Sequence, residues 1–289
     1  MSTWGFNFVA LKLLYPEMGP AAVSLARFAV MWLALAGICL VKRIPLKVSV
    51  TDWLLMLLQG FLSMGVYMIC FLEGMKESTP AEGAIILGLG PIFTMLIAVL
   101  VRQEKFEPKS LLGTLLAFGG VALVVFGGNA KEHGSLVANG MVLKSAVVWA
   151  VSTVMSKPLV GKAHPLALLT LSMPGALPLL LYYGGPNVTA LHWGALSLTA
   201  WSMFLYVSLI AGVAGFAFFY EGVRQVGASA AMSYQYLVSP MAVIFGMIFL
   251  GSTVTLLQVV GMLTVLGGVM LANRVRRLTN TPQPAEATA

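Results

Sequence analysis

Glu73, Glu221, Arg27 and Glu82 are ionisable groups set in or beside long apolar runs. Glu73 closes the run that spells FLEG at 71–74, and Glu221 closes FYEG at 219–222, 148 residues further on. A carboxylate at a span end is hydrated and anchors its helix at the interface; facing a loop cation, it can gate a passage. Arg27 lies seven residues past Pro20, about 10 Å into its run at the helical rise per residue. It either snorkels toward the interface or holds a carboxylate in its planar fork. Glu82 follows Thr79-Pro80-Ala81, which reads as N-cap, proline at N1 and glutamate at N3 of a capping box.

Polar groups within spans are fewer. SAAMSYQYLVSP is the most polar mid-span stretch, and its Ser229, Ser233, Tyr236 and Pro240 fall along one helical face. Tyr234 and Gln235 flank that face. An amide in lipid is costly, so Gln235 must point inward; the stretch either lines a cavity or bonds a neighbouring helix. Asn7 is the amide of the first run, and Trp149, Ser152 and Thr153 occupy the related region of the sixth. The third offers Met64, Tyr67 and Cys70. Asn, Trp and Tyr together suit a zwitterion with an apolar side chain, although each aromatic alone reads as ordinary packing. Pro91 and Pro240 remove a mid-helix hydrogen bond and either kink their helices or hinge a gate.

Other chemistries find no foothold. The chain has no phosphate loop, no Ser/His/Asp grouping and no zinc spacing. His133, His164 and His192 fall in separate loops, and Cys39 and Cys70 inside apolar runs read as small buried hydrophobes. No catalytic residue, metal or cofactor is therefore expected. With 59% hydrophobic and 9% charged residues and a mean hydropathy of +0.92, the chain belongs in a bilayer, since soluble domains carry about a quarter charged residues. Long continuous runs call for helices rather than a barrel. The net charge of +7 sits in short loops between spans, so it marks no nucleic-acid surface.

Breaks at charged and Pro/Gly clusters give ten segments, near 3–14, 20–41, 52–73, 80–101, 109–126, 138–156, 165–183, 196–221, 228–250 and 254–272. The first is too short to cross alone, so the expectation is a chain that begins inside its first helix; no signal-peptide pattern follows Met1. With the N-terminus inside, twelve of the 17 Lys and Arg fall on the cytoplasmic side and three (Lys12, Lys76, Lys131) outside. Both termini are then cytoplasmic, and the tail 273–289, ending TNTPQPAEATA, is expected to be disordered.

The halves repeat. Phe71, Glu73 and Gly74 match Phe219, Glu221 and Gly222; Pro91 matches Pro240. Gly113, Gly119 and Gly120 match Gly261, Gly267 and Gly268, and Trp4 matches Trp149. An odd number of spans per copy turns the second copy upside down. The expected architecture is an all-α membrane protein of ten helices, with one five-helix repeat over 1–126, a loop over 127–137, and an inverted repeat over 138–272. Inverted repeats enclose a midplane cavity open alternately to either side. The glycines let the fifth and tenth helices approach closely, for scaffold packing or for a weak homodimer of an otherwise monomeric chain.

WGFNFVALKLL, SLARFAVMWLAL, PIFTMLIAVL with Glu104 and LLGTLLAFGGVALV, and SPMAVIFGMIFLG with LLQVVGMLTVLGGVML resemble the EamA-type branch of the bacterial drug/metabolite transporter superfamily over nearly the whole chain. One departure is that Gly251 and Ser252 stand where the family often has a glutamate. The resemblance implies an inner-membrane exporter of small metabolites such as amino acids. Aromatic or other apolar amino acids are the first expectation for cargo. The want of a mid-membrane acid favours facilitated export or exchange. The alternatives are a multidrug or amine exporter, for which an anionic cavity would speak, and an intramembrane enzyme or receptor-like bundle.

Overall fold

The computed structural model describes residues 1–77, 80–127, 135–250 and 254–280; the side chains of Phe8, Met75, Lys76, 80–82, Ala84, Leu250 and 275–280 fall outside that description. The described chain is helical: α1 (Ser2–Met18), α2 (Pro20–Val41), α3 (Val50–Gly60), α4 (Tyr67–Glu77), α5 (Pro80–Leu87), α6 (Gly90–Leu100), α7 (Pro108–Phe126), α8 (Leu136–Lys162), α9 (Pro165–Ser172), α10 (Leu177–Ala190), α11 (Leu198–Leu205), α12 (Gly215–Val226), α13 (Ala228–Ser233), α14 (Val238–Leu250) and α15 (Leu256–Asn280). Local chemistry sets the starts. α2, α7 and α9 open on Pro20, Pro108 and Pro165, where a missing N–H costs nothing. Ser49 and Ser197, 148 residues apart, each cap a helix by accepting from a backbone N at 3.1 Å, Asp52 and Ala200 respectively. Gly19 (φ 68°) and Gly227 (φ 91°) turn α1 into α2 and α12 into α13 through the left-handed region that other residues avoid.

Among the described residues, eight helical rods are long and apolar enough to cross a membrane. Two pieces fall short: α1, at 17 residues, and the rod over Ile85–Leu100. These are the expected first and fourth segments. Leu33, Leu100, Phe218 and Leu263 are 64–79% exposed, an apolar exterior that fits lipid. α15 runs to Asn280, past the expected end at 272, and residues 281–289 lie outside the described part.

Several rods are interrupted, and the interruptions repeat. Wide π turns over Phe61–Val66 join α3 to α4, and over Tyr206–Ala214 join α11 to α12. Shifted by the 148-residue offset, the first falls inside the second. A turn at 88–89 splits α5 from α6, and a tight 3-10 turn over Tyr234–Leu237 splits α13 from α14. Another over Met173–Ala176 joins α9 to α10.

α7 and α15 pack along their whole lengths, antiparallel. A Cβ on Gly113 would strike the backbone of Ala272 and Gly268, and one on Gly120 would strike Val265 and Gly261. Each contact is the other's image under the sequence repeat, since Gly113 matches Gly261 and Gly120 matches Gly268. The glycine faces are thus used inside one chain, which leaves only the outer faces of α7 and α15 for a second copy. Ser110 Oγ donates to the Ala272 carbonyl at 3.3 Å to tie one end of this seam.

Candidate functional site: a methionine-lined cleft beside Arg27

One face of α2 presents Ser24, Arg27, Phe28 and Met31 to a cleft of about 20 Å³. Met64 of the first π turn and Met68 of α4 form a second wall; Met173, Leu180 and Phe216 complete it. That volume holds water, whereas small-molecule pockets run to roughly 300–1,000 Å³. The cleft as it stands is far smaller than such a pocket, and its walls are adaptable. Four of the nine lining residues are methionines, unbranched side chains that repack at little cost.

Arg27 is half-buried. Its Nε is shut from solvent and meets no hydrogen-bond partner. Among the described residues, the phenols of Tyr15 and Tyr67 lie within electrostatic reach of the guanidinium. Ser24 Oγ is turned to the Ala21 carbonyl at 2.8 Å. A donor shut from water without a partner is costly, and Arg27 Nε is such a donor.

A wall of rings continues from the cleft through Phe216. Trp149 lies 5.2 Å from Tyr67, 5.4 Å from Phe219 and 6.0 Å from Phe216 between ring centres. Trp4, the repeat mate of Trp149, packs on the same Phe216 and Phe219 at 5.3 and 5.5 Å. Trp149 Nε1 donates to Gln235 Oε1 at 3.3 Å, and Trp4 Nε1 to the Ala211 carbonyl at 2.9 Å. One turn along from Met64 and Phe216 sits a polar layer that the sequence reading passed over. Gln59, fully buried, meets the Tyr220 hydroxyl at 2.6 Å and Ser63 Oγ at 3.2 Å. A lone amide in LLMLLQGFLSMG was the available signal.

The expected site residues divide. Arg27 lines the cleft; Tyr67 and Trp149 form the adjoining ring wall, and Gln235 reaches that wall. Asn7 keeps a buried Oδ1 without a partner. Ser152 is fully buried and bonds the Trp149 carbonyl of its own helix at 2.9 Å. The polar stripe of α13 and its 3-10 turn is real but faces the other way. Ser233 Oγ donates to Asn273 Oδ1 of α15 at 3.1 Å, and Tyr236 packs with Ala117, Val121, Val265 and Val269, with Tyr234 against the same group. Ser233, Tyr234 and Tyr236 thus sit against α7 and α15 rather than on the cleft. Pro91 and Pro240 each follow a helix interruption, so they begin or continue a new helical piece instead of bending a continuous one.

The ends are tied differently. At the end rich in basic loops, Lys162 pairs with Asp52 at 2.6 Å, Glu104 Oε1 accepts from Ser229 N at 3.1 Å, and Gln103 donates to the Val154 carbonyl at 3.2 Å. Each of these joins one half of the chain to the other. Glu221 is held within its own helix by Arg224 and Gln225. At the opposite end, Glu17 accepts from Ser197 N at 2.8 Å, and Glu73 accepts from the Tyr183 hydroxyl. The Glu82 side chain, Thr79, Gly251 and Ser252 lie outside the described residues. Cys39 and Cys70 are buried and unbridged.

A multi-pass helical membrane protein with a cleft between interrupted helices has the build of a small-molecule carrier. The chain belongs to the EamA-like transporter family, whose model matches residues 1–126 and 136–274. It is 26% identical to an uncharacterized transporter of Bacillus subtilis over 95% of this chain and 91% of that protein. A probable terminal-alkyne amino-acid exporter of Streptantibioticus cattleyicolor is 27% identical over 97% of this chain and 94% of its own length. A probable amino-acid metabolite efflux pump of Salmonella typhimurium is 25% identical, over 95% and 93%. A solved crystal structure shares the fold with a TM-score of 0.77 at 14% identity, over 96% of this chain and 95% of that one. These relatives are transporters, and so is this chain; it is not an enzyme. Its substrate is a small molecule.

Proposed function

We propose that the protein exports small amino-acid-like metabolites with apolar side chains across the inner membrane, by alternating access between two inverted five-helix repeats. The observation that carries this reading is Arg27, whose buried Nε meets no partner at the wall of a methionine- and phenylalanine-lined cleft. The guanidinium takes the cargo carboxylate in a bidentate pair, and the thioethers and rings take its apolar part. α1 and the rod over Ile85–Leu100 are the ninth and tenth crossings. Three features support the inversion: the reciprocal antiparallel glycine seam of α7 and α15, the paired π turns, and the paired breaks before Pro91 and Pro240. The basic end is cytoplasmic, as the charge bias requires, and both termini lie there. The cleft then sits toward the outer half, and the cross-half ties at the basic end seal the cytoplasmic side.

Proteoliposomes loaded with labelled apolar amino-acid-like carboxylates or with lipophilic amines test this reading. Carboxylate efflux well above protein-free vesicles, with amines at background, is expected. Amine efflux without carboxylate efflux would replace it with the amine-exporter reading.

A further inference from the structure

We infer that the cargo bound in the cleft is an apolar monoanion whose amino group is missing or masked, such as a deaminated or N-acylated amino acid, rather than a free zwitterion. This deepens the proposed function and rests on Arg27 as the carboxylate anchor. The inference follows from charge balance. The lining residues are Arg27, Ser24 and seven apolar side chains, of which Met64, Met68 and Phe216 lie across the cleft from α2. Among the described residues, Arg27 is the one charged group in that lining, and its electrostatic neighbours, Tyr15 and Tyr67, are neutral phenols. Glu73 and Glu221, each five residues along the chain from a lining residue, are engaged with Tyr183 and with Arg224 and Gln225 respectively. A monoanion therefore neutralises the occupied cleft. A zwitterion leaves one net positive charge there and brings an ammonium into contact with thioethers and ring carbons. An ammonium loses its strong charge–water contacts on entering such surroundings, whereas an acyl cap or a keto group in the same place loses only weaker, neutral hydrogen bonds. The Ser24 hydroxyl, its proton turned to the Ala21 carbonyl, offers one acceptor oxygen where an ammonium has three N–H donors to place.

Four probes with one phenyl side chain separate the possibilities: N-acetylphenylalanine and 3-phenylpropanoate as monoanions, phenylalanine as zwitterion and phenethylamine as cation. Each is measured with the full-length protein in proteoliposomes at neutral pH, after subtracting protein-free vesicles. The two anions should outpace phenylalanine by about tenfold or more, one order of magnitude being the modest end of an uncompensated buried charge, and phenethylamine should stay at background. Phenylalanine moving as fast as N-acetylphenylalanine, or faster, would overturn this inference while leaving carboxylate export standing. Phenethylamine moving alone, or none of the four moving, would overturn both.

Discussion

Glu73 and Glu221 hold the same place in two copies of one pattern, yet they are used differently. Glu73 reaches across to Tyr183 of α10, whereas Glu221 spends its oxygens on Arg224 and Gln225 of its own helix. Glu104 sharpens the contrast. It caps the start of α13 through Ser229 N, and the corresponding position after α14 holds Gly251 and Ser252, which carry no carboxylate. The shared frame comes from the repeat: capping serines, π turns, helix breaks and the glycine seam all recur. The ties at the two ends do not. The difference teaches that the recurring sequence pattern sets the helical frame, while residues outside that pattern set the contacts at its ends.

The scaffold side of the comparison carries the largest expected effects. Gly113→Val and Gly261→Val should both abolish folded, inserted protein, to similar extents, because each drives a side chain into the opposite helix backbone and overpacking of this kind costs about 1–3 kcal/mol or more. Gly119→Val and Gly267→Val should be tolerated, since open space surrounds both. Detergent-extracted yield and melting temperature check this. Unequal damage from Gly113→Val and Gly261→Val would break the reciprocity.

Much of this scaffold was legible in the sequence. Apolar runs bounded by charge marked the rods, and the 148-residue offset aligned FLEG with FYEG and the glycines of α7 with those of α15. The breaks inside the rods were not legible. Just before the first π turn the Ser172 backbone comes so near Gly60 that a Cβ there would strike it, and composition does not show which neighbour approaches that closely. The polar stripe at Ser229, Ser233 and Tyr236 shows the same limit. Helical spacing identifies a face, but only the packed neighbours decide what it faces, here Asn273, Val265 and Val269. Arg27 was readable as a charge in an apolar run. Met31, Met68, Met173 and Phe216 were indistinguishable from core until the cleft placed them together.

The end ties come next in size. Glu104→Ala removes the acceptor from Ser229 N and should loosen the basic end by about 0.5–2 kcal/mol, the usual worth of a helix cap. Cysteine probes placed near Gly227 should then label faster, while probes near Ser197 should not change. Equal labelling at both ends would mean that Glu104 is no latch. The paired glutamates fall on either side of that range. Tyr183→Phe removes one hydrogen bond to a carboxylate, worth about 1.5–3 kcal/mol, and Glu221→Gln removes an exposed local ion pair worth about 1 kcal/mol at most. Thermal shifts should therefore be larger for Tyr183→Phe, and the reverse order would undo the contrast.

Arg27→Gln tests the central claim most directly, through transport and thermal stability measured on the same purified protein. A guanidinium kept for cargo makes the two readouts part company. Carboxylate export should fall by about tenfold or more with loss of the bidentate pair, while the melting temperature holds or rises because an unpaired buried charge is gone. Export at the wild-type rate, or a melting temperature that falls together with export, would contradict Arg27 as the carboxylate anchor.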